Sequence, residues 1–200
     1  MVVFFAGERD AAAQVKDVVV GITATCPYGI SACWAGAYEA LTHLDGVESV
    51  DKNPDSNTST AHIHLRSTAL PDPEKLRQQF ESLVGKAYLF RGVEITVEGS
   101  VREQNGDMTV ELPDSKESLR LIALKTKVQW NFQKQHPRGP ETEERTAFQD
   151  LVGKEKETVS AKAASHPVVR VTGPLKMTDK GPVMEVREFS ELKAGSSSHR

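Results

Sequence analysis

Between Val15 and Arg91 apolar residues recur at helical spacing in only two places, and each lies between short runs rich in β-branched residues. That order leaves few ways to bury every apolar face. Val18, Val19, Val20 and Ile22 make the first run. Trp34, Ala37, Tyr38, Leu41 and Leu44 mark a helix that Gly46 ends. Residues 47–50 read as a short strand and 51–59 as a turn by composition. Residues 60–65 alternate, with Ala61, Ile63 and Leu65 on one face and His62 and His64 on the other. Asp72 followed by Pro73 is a helix start, Leu76, Phe80, Leu83 and Val84 its buried stripe, and Gly85 its end. Residues 87–90 supply a last strand.

The α+β order βαββαβ over residues 15–91 predicts a four-stranded antiparallel sheet with two helices on one face, the ferredoxin-like plan. From Gly92 the texture turns to strand. Val93, Ile95, Val97 and Val101 alternate, Asn105-Gly106 is a hairpin signal, and Met108, Val110 and Leu112 continue beyond it. A third strand over 118–124, a helix opened by Pro140 and two strands over 166–175 and 181–189 complete the order of an OB-like five-stranded β-barrel, residues 92–193. Gly99 and Gly173 take matching positions where small barrels bend. Residues 1–14 read as a flexible N-terminal segment and 194–200 as a disordered tail.

The formal charge of −3 divides into −4 for residues 1–90, with 7 Lys/Arg against 11 Asp/Glu, and +1 for the rest. Neither half is a basic nucleic-acid binder by composition. No run is long and apolar enough to span a membrane. The start lacks a basic region ahead of its apolar patch, so a cytoplasmic location is the default reading, with the cell envelope or periplasm the reading if the true start lies upstream. No GxSxG, GxxxxGK, HExxH or CxxC occurs, and the carboxylates show no catalytic pairing, so the chain reads as non-enzymatic.

The two cysteines, Cys26 and Cys33, flank the mouth of the first helix. The stretch from Cys33 to Val50 resembles the heavy-metal-associated domain of copper chaperones and metal-pumping ATPases. Cys33, Ala37, Leu41 and Gly46-Val47-Glu48-Ser49-Val50 fall in register with that family, and residues 61–65 fit its third strand. The resemblance covers about 75 residues. It implies a soft-metal site, Cu(I) or Zn, on thiolates at a helix N-terminus. The family's Met-x-Cys-x-x-Cys is altered: Tyr28 stands at its methionine and Ile30 at its first cysteine. Cys26 lies seven positions before Cys33, and Gly29 would let the loop fold back. A thiolate clasp, a disulfide and a buried small residue all remain open, with a reactive catalytic cysteine the weakest reading.

His62 and His64 are the secondary metal candidates, against the plainer reading of solvated or interfacial histidines. Residues 125–140 bring Trp130 and Phe132 among Lys134, His136 and Arg138, a candidate interaction surface for a protein or, less favoured, a single strand. The plainer reading packs both aromatics internally. The expected function is soft-metal binding or delivery; the alternative is a protein-interaction module on a vestigial metal scaffold.

Overall fold

The computed structural model describes residues 15–113, 118–160 and 166–192. The flexible segment expected over residues 1–14 and the disordered tail expected over 194–200 lie outside the described residues. The chain is a mixed α+β protein dominated by sheet. Its first half runs β1 (Val15–Ala24), α1 (Gly29–Ala32), α2 (Trp34–Thr42), β2 (Val47–Val50), β3 (Thr60–Leu65), α3 (Pro73–Val84) and β4 (Tyr88–Gln104). Asp72 caps α3 by accepting from the backbone N–H of Glu74 at 2.9 Å and Lys75 at 3.1 Å, which satisfies two of the donors a helix start leaves free.

These strands order as β4-β1-β3-β2, every neighbour antiparallel. Val18 pairs with Ile63 and Ile95, and Val20 with Ala61 and Val93. Paired residues share a face, so one side of the sheet is apolar, and α1–α3 pack on it. Phe80 is fully buried there, its ring centroid 5.7 Å from Phe90 and 6.1 Å from Tyr88.

The second half adds β5 (Asp107–Glu111), β6 (Ser118–Ala123), the two-residue strands β7 (Trp130–Asn131) and β8 (His136–Pro137), α4 (Thr142–Ser160), β9 (Val168–Thr178), β10 (Gly181–Val186) and β11 (Glu188–Glu191). Asn105 and Gly106 both take positive φ, 55° and 85°, at the β4–β5 hairpin, as a two-residue turn of that kind demands. Strands β4-β5-β6-β10-β9 close on themselves through a second β9–β4 pairing, with β6 and β10 parallel and the other contacts antiparallel. Closure brings backbones close. A Cβ on Gly99 would lie 2.2 Å from the Glu111 carbonyl, and one on Gly173 would lie 1.8 Å from the Glu185 carbonyl. Both positions therefore exclude any side chain.

The two halves are not strung as beads. Strand β4 crosses the boundary expected between 91 and 92 with a bulge rather than a break: Gly21 pairs with Gly92 but Ile22 with Phe90, so Arg91 is the extra residue. Gly92 takes φ 132°, which a side chain would resist. Val93, Ile95 and Val97 then face both the first half's core and the barrel interior, pairing with β1 on one side and with Leu175, Gly173 and Val171 of β9 on the other. One apolar cluster runs from Ala37 and Leu41 through Ile95 to Leu151 and Met184.

Candidate functional site

The bulge decides what lies on the other face of the sheet. It turns Arg91 away from the core, where its Nε donates to the Val128 carbonyl at 3.0 Å and Nη2 to the Ser59 carbonyl at 2.6 Å, while Nη1 donates to the Thr23 hydroxyl. The indole of Trp130 stacks over the guanidinium, 5.5 Å from ring centroid to Cζ. Burial holds the Arg91 pKa down, to about 10. The residues from 125 to 140 are thereby strapped across the far face. The Trp130 backbone N–H donates to Thr58 at 2.8 Å, and Arg138 Nη2 donates to the Asn57 carbonyl at 2.6 Å.

The plainer reading of the two aromatics fits this geometry. Trp130 is half-buried over Arg91, and the half-buried Phe132 ring lies against Gly29, where a Cβ would stand 3.4 Å from it. Lys134 is exposed and Arg138 is spent on the strap, so these four residues do not converge on one open aromatic–basic surface.

Beside the strap lies a buried ionic cluster. Arg187 Nη2 sits 3.0 Å from Glu94, whose residue is 3% exposed, and Arg187 Nη1 sits 3.6 Å from Glu144. Lys127 Nζ closes the chain on Glu144 at 2.6 Å, with side-chain exposures of 6% and 12%. Burial pushes the Glu94 carboxyl up in spite of Arg187. Burial works against the Arg187 charge too, but Glu94, Glu188 and Glu144 together hold it up. Arg187 faces three carboxylates and keeps its charge, whereas Glu94, with one cation beside it, is the group held toward its neutral form. Glu185, 1% exposed, accepts from the backbone N–H groups of Lys125 at 2.8 Å and Thr126 at 2.9 Å and pairs with Lys176. Burial opposes the Glu185 charge, yet the Lys176 and backbone donors hold its carboxyl below the ordinary value.

Between the strap, α3 and the end of β9 runs a groove of about 780 Å³. Phe90, Val128, Trp130, Leu175 and Met177 make its apolar wall, and Met177 is 50% exposed. A separate hollow of about 330 Å³, beside Leu70 and Pro182, also has Met177 on its wall.

The cysteines meet as the fold-back loop requires, but as a disulfide. In this state neither sulfur is a free thiolate. Ile30, at the family's first cysteine position, is a core residue at 2% exposure, while Tyr28 is 79% exposed. His62 and His64 each face a carboxylate. Nδ1 of His62 lies 3.1 Å from Asp17 and Nε2 of His64 lies 2.9 Å from Asp51. No cluster of three or more metal-ligating side chains occurs among the described residues, and no helix among them is long and apolar enough to cross a membrane.

No protein-family model matches the chain, and no curated protein matches it. Among solved structures it is similar to a chain of the S. pombe Stn1–Ten1 complex, at 16% identity and TM-score 0.28, over 50% of this chain and 59% of that one. A likeness of that size carries no inference, and the heavy-metal-associated resemblance finds no support in any comparison.

Proposed function

We propose that this chain is a non-enzymatic protein-interaction module, a ferredoxin-like half fused through one strand to an OB-type barrel, that takes a partner segment in the groove beside Trp130. The β4-β1-β3-β2 order and the closed β4-β5-β6-β10-β9 circuit support the two fold assignments. The observation that carries the function is the groove itself, in which the half-buried Trp130 and the exposed Met177 present apolar surface above the buried Phe90, Val128 and Leu175.

A single-strand role is less well supported. The outward residues of β5 and β6, where OB barrels hold nucleic acid, are Asp107, Thr109, Glu111, Ser118, Arg120 and Ile122, with no aromatic platform. Arg102 is paired with Glu111, and Arg120 lies 4.0 Å from Asp107. Soft-metal capture remains a second reading for the reduced chain, favoured by one observation: the fold already brings the two sulfurs together.

The test is selection of a random peptide library on the folded protein, followed by titration of the selected peptides. Saturable binding that weakens about tenfold or more in Met177→Asp supports the groove. Binding untouched by that change, or oligo(dT) binding with a steep salt dependence, refutes it.

A further inference from the structure

The groove is electrostatically one-sided. Its lining holds Arg77, Arg91, Lys127 and Lys176 against the single carboxylate of Glu74, on a chain whose formal charge is −3. Three of those cations have carboxylate partners: Arg77 with Glu74 and Glu81, Lys127 with Glu144, Lys176 with Glu185. Arg91 has none among the described residues. Its three observed hydrogen bonds go to two carbonyls and a hydroxyl, which orient the guanidinium but leave its charge uncompensated. A half-buried cation without a counter-charge is costly, and a guanidinium has five N–H groups, so donors remain. The apolar wall beside it lowers the local polarity and strengthens any charge pair formed there. A second hollow, beside Leu70 and Pro182, has Met177 on its wall as well.

From these features we infer that the groove binds an extended peptide segment of a partner, with apolar side chains against Trp130 and Met177 and one acidic side chain directed at Arg91. The inference rests on the groove reading above and adds the partner's chemistry to it. The carboxylate makes a charge-assisted contact in place of water, while the apolar residues supply the buried area.

The experiment uses two arrays of ten-residue peptides with aliphatic and aromatic residues around a fixed central position, Asp in one array and Asn in the other. The best pairs are titrated by fluorescence anisotropy against the whole protein. The Asp peptides are expected to bind about tenfold or more tighter than their Asn counterparts. Arg91→Gln should bring that ratio to about one, with a thermal melt reporting whether the variant is folded. Because Arg91 also holds the strap, an independent pair of variants is made at the exposed Met177. Met177→Glu should weaken the Asp peptides more than the Asn ones, and Met177→Lys should widen the Asp preference. Equal binding of Asp and Asn peptides to the wild type overturns the acidic-partner inference and leaves the groove reading standing. No binding from either array overturns both. Unchanged ratios in both Met177 variants place the carboxylate elsewhere and overturn the assignment.

Discussion

Replacing Arg91 by methionine tests whether one side chain holds the strap to the sheet. The substitution keeps an apolar stem of similar length and removes the guanidinium. Lost with it are the contacts to Val128 at 3.0 Å and Ser59 at 2.6 Å, the Thr23 contact, and the stacking under Trp130. Hydrogen bonds from a charged donor contribute about 1.5–3 kcal/mol each, so three of them amount to roughly 5–9 kcal/mol. Cation–π stacking in a partly desolvated site adds about 1 kcal/mol. Against this, the wild type buries a cation with no counter-charge, and removing it returns several kcal/mol, on the order of 3–5. The net expectation is a destabilisation of about 4 kcal/mol. Urea unfolding followed by tryptophan fluorescence gives the number, and Trp130 reports the strap directly. Arg91→Lys keeps the charge but not the fork, and should recover less than half of the loss. A change below about 0.5 kcal/mol in Arg91→Met, the typical size for an unimportant surface site, would refute the clamp. It would mean that desolvation cancels the hydrogen bonds and that Val128 and Trp130 hold the strap by packing alone.

Four further outcomes follow from other parts of the fold. Gly173→Ala should lower stability by about 3 kcal/mol or more, near 10 °C in Tm, because its Cβ would sit 1.8 Å from the Glu185 carbonyl; a shift under 2 °C sinks the close-approach argument. Reducing the Cys26–Cys33 disulfide, or replacing both cysteines by serine, should cost about 2 kcal/mol from the seven-residue separation it closes. Anaerobic Cu(I) competition on the reduced chain then decides the metal reading, since stoichiometric binding must vanish in both Cys26→Ser and Cys33→Ser. For Glu185 the folded pKa lies below the ordinary glutamate value of 4.5. Its ionisation therefore contributes stability that is present above pH 4.5 and is lost as pH falls through the folded value. Denaturation midpoints between pH 6 and pH 3 should fall less steeply in Glu185→Gln than in wild type, and parallel curves would remove the role assigned to it.

Much of the local structure was legible residue by residue. Asp72-Pro73, the Asn105-Gly106 hairpin and the alternation at 60–65 each carry their own backbone instruction, so they appear where the pattern puts them. The continuity of β4 was not legible, because Arg91-Gly92 reads as a break when a bulge and a boundary use the same residues. The candidate groove was legible only in part. Trp130 drew notice among basic neighbours, but Phe90, Leu175 and Met177, far apart in the chain, looked like ordinary strand residues. The importance of Arg91 had no local signal at all. The cysteine spacing left clasp and disulfide open, since seven positions and a glycine suit either.

By itself, then, the sequence determined the kinds of element, their order and the faces they bury, because hydrophobic period and turn chemistry act over a few residues. Tertiary structure alone decided that the two halves share a strand, that residues 125–140 cross the far face, and that an arginine with no carboxylate partner among the described residues lines the groove. Those outcomes depend on which strands meet and in what register, and a single bulge residue shifts every side chain beyond it to the other face.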